Sequence, residues 1–114
     1  MHELAIARNI HATVLREMED RRLPGINRIG LSIGSLSGIV PDALEFGFNA
    51  VKEGTPLSGT VLDIKSCPGH GSCTQCYAEF DMDDFSFTCP QCGSVDVRID
   101  QGRELDITWL EVQQ

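Results

Sequence analysis

Basic residues are scarce in this chain: nine Lys and Arg face seventeen Asp and Glu in 114 residues, for a formal net charge of −8 at pH 7. Phosphate binding relies on clustered Lys and Arg that release counterions, so the composition argues against a nucleic-acid partner. An acidic surface suits cations or a basic protein instead. No stretch approaches the roughly 20 apolar residues of a membrane-spanning helix, so no membrane partner is expected. Arg8 and His11 interrupt the first apolar segment, which does not read as a secretory signal. A cytoplasmic location is the expectation. The sequence also lacks a glycine-rich phosphate loop ending in Gly-Lys-Ser/Thr, a Ser/His/Asp set and a paired acid–base site. The chain is therefore not expected to be an enzyme, and any nucleotide hydrolysis must come from a partner.

Cysteine is missing from most of the chain and crowded into one part of it, as Cys67, Cys73, Cys76, Cys89 and Cys92. An odd number of thiols in one short region of a reducing compartment reads as a metal site before it reads as disulfides. Cys73-Thr-Gln-Cys76 and Cys89-Pro-Gln-Cys92 are two C-x-x-C pairs separated by twelve residues. Each such turn aims two sulfurs at one point, and two turns facing each other supply four thiolates for a tetrahedral, closed, structural zinc site. Iron fits the same ligands, as in rubredoxin-like sites, but zinc is the better default. A redox C-x-x-C would sit near a strand–helix junction, a pattern absent here. Cys67 and His70, in the run CPGHGSC, are candidate auxiliary metal contacts, with a loop thiol and a solvated histidine as the plain alternative.

Residues at helical spacing over Glu3 to Asp20 (Leu4, Ala7, Ile10 or His11, Val14, Met18) predict a first helix, ended by Pro24-Gly25. The run INRIGLSIG alternates as a half-buried strand. Pro41-Asp42 opens a second helix with Leu44, Phe48 and Val51 on one face, closed by Gly54-Thr55-Pro56. TVLDIK, residues 60–65, is a second strand, and strand, helix, strand in this order predicts a right-handed crossover with a parallel pair. ELDITWLEV, residues 104–112, alternates again and can complete a three-stranded sheet. Between these elements the aliphatic content collapses, and the segment cannot bury a core of its own. Metal must hold it, since structural zinc contributes on the order of 10–16 kcal/mol at neutral pH. Glu79, Asp81, Asp83, Asp84, Asp96 and Asp100 make this region acidic, either as a solvated face or as a docking surface for a basic partner.

The amino end offers a different donor set. The Met1 amine, the His2 amide nitrogen and the His2 imidazole can close adjacent chelate rings in one plane, which suits Ni(II) or Cu(II). Glu3 can add its amide, a carboxylate, or a hydrogen bond that orients the imidazole. The competing reading makes Glu3 a first-turn acid that complements the helix dipole and gives His2 no role. His11 is expected on the helix face, without metal.

Taken in order, Met-His-Glu, IGLSIGSLSGIVPDAL, GTPLSGTVLDI, the two C-x-x-C pairs and GRELDITWLEV resemble the HypA-type nickel metallochaperone family over essentially the whole chain. Tyr77 departs from the pattern, standing where a glycine often follows the first cysteine pair. The resemblance implies an α+β fold: two helices on a small mixed three-stranded sheet, the nickel lobe (1–65 and 99–114), with an inserted zinc-ribbon lobe (66–98). It implies nickel bound by Met1, His2 and Glu3, and structural zinc bound by Cys73, Cys76, Cys89 and Cys92. It also implies transfer of Ni(II) towards the large-subunit precursor of nickel–iron hydrogenase in concert with a GTPase partner, and in some bacteria service to urease and its accessory proteins. The alternative is a zinc-ribbon interaction adaptor without metal transfer.

Overall fold

The structure, a computed structural model, describes residues 3–82 and 88–114. Its elements are α1 (Glu3–Asp20), β1 (Ile26–Gly34), α2 (Pro41–Val51), β2 (Val61–Cys67), β3 (Gly69–Cys73), β4 (Glu79–Met82), β5 (Val97–Gln101) and β6 (Leu105–Val112). They form two three-stranded sheets, ordered β2-β1-β6 and β4-β3-β5. The chain divides into two compact units, one of residues 1–32, 39–65 and 106–114, the other of 33–38 and 66–105.

In the first unit α1 and α2 lay their apolar stripes, Ala7, Ile10 and Val14 from one and Leu44 and Phe48 from the other, into a core with Ile26, Ile29 and Leu31 of β1 and Leu57 and Leu62. The helix pattern and the strand alternation thus meet on one set of buried side chains. The Gln113 N–H donates to the Gly25 carbonyl at 2.9 Å and the Thr108 hydroxyl to the Gly30 carbonyl at 3.2 Å, so residue numbers fall along β6 as they rise along β1. That pairing is antiparallel. Beside β2 the order runs the same way on both strands: the buried Thr60 hydroxyl donates to the Ile26 carbonyl at 2.6 Å, while Asp63 and Lys65 line one hollow with Leu31 and Ser32. The sheet is therefore mixed, as the strand, helix, strand order requires.

α1 ends four residues before Pro24. Arg22 takes a left-handed backbone (φ 53°), and the Leu23 N–H turns back to the Met18 carbonyl at 2.9 Å. This is a Schellman-type closure with arginine where glycine is usual.

The second unit is built on β3, paired antiparallel with β4 on one side and β5 on the other. β3 and β4 are not apparent from hydropathy, because GHGSC is rich in glycine and EFDM carries two acids in four residues. The unit also takes in Leu36, which is buried although it belongs to a loop between β1 and α2. Its N–H donates to the Gly102 carbonyl at 2.7 Å. Its side chain lies so close to Gly69 that a Cβ there would fall 2.6 Å from Leu36 Cδ1. Gly102, at φ 122°, has a backbone that L side chains rarely adopt. Ser35 completes the seam: its hydroxyl accepts the Gly69 N–H at 3.0 Å and donates to the Met82 carbonyl at 3.4 Å.

Candidate metal centre

The two C-x-x-C turns adopt the same backbone scheme. In the first, the Tyr77 N–H donates to the Cys73 carbonyl at 3.0 Å and the Cys73 N–H to the Ala78 carbonyl at 2.9 Å. In the second, Gly93 donates to Cys89 at 2.9 Å and Cys89 to Ser94 at 2.8 Å. Both turns close through a left-handed residue, Tyr77 (φ 65°) and Gly93 (φ 76°). Each therefore projects its two sulfurs the same way, one buried (Cys73, Cys89) and one exposed (Cys76, Cys92).

The turns meet. Cys73 Sγ is 3.6 Å from Cys92 Sγ, Cys76 Sγ is 3.6 Å from Cys89 Sγ, and all four sulfurs lie within 4.8 Å of one another. A tetrahedral zinc ion with Zn–S bonds of about 2.3 Å needs sulfurs about 3.8 Å apart. Spacing and donor type both fit zinc, and four sulfurs leave no position for a reacting water.

Electrostatics split the four thiols. The Cys76 N–H and then the Gln75 N–H, 3.4 and 3.3 Å from Cys73 Sγ, hold its pKa down at about 6 against the opposing effect of burial. The N–H groups of Cys92 and Gln91 lower Cys89 in the same way. At Cys92 the Ser94 N–H pulls the pKa down, but the neighbouring Cys73 sulfur and burial outweigh it and push it up to about 12. At Cys76 the Ala78 N–H likewise loses to burial and to Cys89, and the pKa rises. Cys73 and Cys89 thus lose their protons more readily than Cys76 and Cys92, because four thiolates this close repel one another. A divalent ion would displace the remaining protons and balance the charge of the four sulfurs.

Of the auxiliary candidates, the structure brings neither into this group among the described residues. Cys67 is the last residue of β2, and its carbonyl accepts the Ser35 N–H at 2.8 Å. His70 falls in a separate group with Glu79 and Asp100. The sequence offered no sign of that grouping beyond a run of acids. Asp96 accepts from the Gln75 amide at 3.3 Å beside the first turn, and Asp83 and Asp84 lie outside the described residues.

Met1 and His2 also lie outside the described residues. Glu3 is placed: its carboxylate Oε2 accepts the backbone N–H of Val40 at 3.1 Å. Val40 is the N-cap of α2 and has no side-chain cap of its own. Glu3 thus does from another helix what a glutamate three residues into α2 would do in a capping box. His11 is half-buried, with Nε2 3.0 Å from Thr55 Oγ1 and its ring 6.3 Å from that of Phe48. The Thr55 hydroxyl donates to the Lys52 carbonyl at 2.6 Å, so His11 Nε2 is the donor in their bond.

A family model described as hydrogenase/urease nickel incorporation, metallochaperone, HypA matches residues 1–112. The chain belongs to the HypA family. It is 42% identical over 114 residues to the hydrogenase maturation factor HypA of Trichodesmium erythraeum (strain IMS101), covering all of this chain and 97% of that one. It is 39% identical over 113 residues to the hydrogenase maturation factor HypA of Geobacter metallireducens (strain ATCC 53774 / DSM 7210 / GS-15), covering 99% and 100%. Among solved structures it resembles that titled the Ni metallochaperone HypA from Helicobacter pylori, with a TM-score of 0.68 at 24% identity over 98% of this chain and 97% of that one. Another titled HypA protein matches with a TM-score of 0.70 at 23% identity, covering 99% and 97%. These two likenesses establish the HypA fold for the chain. Membership establishes the class, a nickel metallochaperone family of hydrogenase maturation.

Proposed function

We propose that this chain binds Ni(II) through Met1, His2 and Glu3 and delivers it during maturation of nickel–iron hydrogenase. Cys73, Cys76, Cys89 and Cys92 hold a structural zinc ion. The observation that carries the reading is the family match, which begins at residue 1 and runs to 112, joined to four sulfurs that converge at zinc spacing. The amine and imidazole nitrogens of the first residues suit a planar d8 ion, whereas the sulfur set suits tetrahedral zinc. The two sites are therefore chemically orthogonal, so one ion can move while the other stays. Glu3, anchored to the start of α2, is covalently next to His2. The proposed partners are the GTPase of hydrogenase maturation and the hydrogenase large-subunit precursor, with urease accessory proteins as a second destination, all in the cytoplasm. The chain acts as a carrier rather than a catalyst.

X-ray absorption on protein carrying one nickel and one zinc reads both shells. The expected result is nickel among nitrogen and oxygen donors with imidazole scattering, and zinc among four sulfurs. His2→Ala removes the planar, nitrogen-rich nickel signature while zinc remains. Nickel in an all-sulfur shell, or an unchanged nickel spectrum in His2→Ala, overturns the assignment and leaves the zinc-ribbon adaptor without metal transfer.

A further inference from the structure

The β4-β3-β5 sheet gathers, on one face, ligating groups that the cysteine site does not use. Side chains alternate along β3, so Gly69, Gly71 and Cys73 turn to a buried face and His70 and Ser72 to the other. In the β3–β4 register His70 lies opposite Asp81 and Ser72 opposite Glu79. Directly opposed residues share a face, which puts both carboxylates beside the imidazole. On β5 Gly71 faces Ile99 but His70 faces Gln101, so Asp100 is the extra residue of a bulge beside His70. Bulges re-aim side chains in this way.

The outcome is specific. His70 Nε2 is 3.3 Å from Glu79 Oε1, and His70 Nδ1 is 3.3 Å from Asp81 Oδ1. One ligand atom each from His70, Glu79 and Asp100 lie within 4.8 Å of one another. A run of carboxylates alone would be a solvated face. Here an imidazole has one nitrogen fixed by a carboxylate and the other turned toward further carboxylate donors.

We propose that His70, Glu79 and Asp100 form a second divalent-cation site, for a transition ion of borderline hardness such as Ni(II), with Asp81 orienting the imidazole through Nδ1. Imidazole favours transition ions over Mg²⁺ and Ca²⁺, and two carboxylates balance a double charge. The Asp81–His70 bond is the carboxylate–histidine arrangement that fixes the tautomer of a ligating ring. Arg98 Nε donates to Asp100 Oδ1 at 2.9 Å. A carboxylate carries two oxygens, so this bond competes with a cation without blocking the group. Three protein ligands leave positions for water, so the ion exchanges readily. The site goes beyond the terminal nickel reading and does not depend on it.

The test uses the full chain, loaded with zinc and carrying His2→Ala. Ni(II) is titrated by calorimetry, and its paramagnetic broadening is followed by NMR. One nickel equivalent is expected, with broadening centred on His70, Glu79 and Asp100. His70→Ala and Glu79→Gln each weaken it at least tenfold, Asp81→Asn weakens it about tenfold, and Arg98→Gln tightens it. Retained zinc shows that each variant is folded. Broadening centred elsewhere, or unchanged affinity in both His70→Ala and Glu79→Gln, overturns the proposal. His70→Ala with His2 intact keeps the planar nickel signature, so failure of either site is seen separately.

Discussion

Tyr77 and Gly93 are equivalent residues in the two cysteine turns: each follows its C-x-x-C pair, each donates its N–H to the first cysteine of that pair, and each has a positive φ, 65° and 76°. A tyrosine in this conformation costs about 1 kcal/mol that a glycine does not. Its side chain is 82% exposed, so little packing offsets the strain. Tyr77→Gly is expected to stabilise the zinc-loaded unit by about that amount, and Gly93→Ala to destabilise it comparably. A Cβ on Gly93 meets nothing within 4 Å, so the loss there is backbone strain alone. Chelator-release rates and thermal melting of the two variants check both signs.

Cys89→Ser removes a buried sulfur from the set of four. Structural zinc contributes on the order of 10–16 kcal/mol in such units, and the second unit has few buried aliphatic side chains to replace it. The variant is expected to lose stoichiometric zinc and the ordered second unit, while α1 and α2 persist on their own core. Zinc content with far-UV circular dichroism reads this. Loss of helical signal together with zinc would show a single cooperative unit.

Gly30 of β1 lies under the ring of Trp109 on β6, so close that a Cβ at residue 30 would fall 2.2 Å from Trp109 Cε2. Gly30→Ala must displace the indole, at a cost of about 1–3 kcal/mol. The chain has one tryptophan, so its fluorescence maximum is expected to shift along with a lower melting temperature.

His70 titrates above its ordinary 6.5 because Asp81 and then Glu79 accept its ring N–H groups, against a smaller effect of burial. A raised folded pKa means that the fold favours the imidazolium. Its contribution to stability is fully present below the unfolded value and is lost as pH rises through the folded one. In metal-free protein the His70 ring resonances are expected to show a midpoint above 6.5, and Asp81→Asn to lower it more than Glu79→Gln does.

The larger elements were legible because each carries a repeating physical signal. Ala7, Ile10 and Val14 recur at helical spacing, and Ile29, Leu31 and Ile33 alternate; all six are buried. Two C-x-x-C pairs announce their convergence through ligand chemistry. By contrast β3 has almost no hydropathy signal, since Gly69 and Gly71 occupy the buried face where a strand usually shows Val or Ile. The helical spacing over Glu3 to Asp20 matches α1 at both ends, although Arg22, which closes it, adopts a conformation for which arginine has little preference.

Sequence alone determined which residues can be core and which thiols can share an ion, because hydrophobic period and ligand spacing are local properties of the chain. Tertiary structure decided the pairings. The Glu3 carboxylate accepts the N–H of Val40, the N-cap of α2, 37 positions further along the chain. The Asp100 bulge next to His70 and Leu36 against two glycines of the second unit are further examples. Each joins groups distant in sequence through strand register and close packing, and neither leaves a trace in local composition.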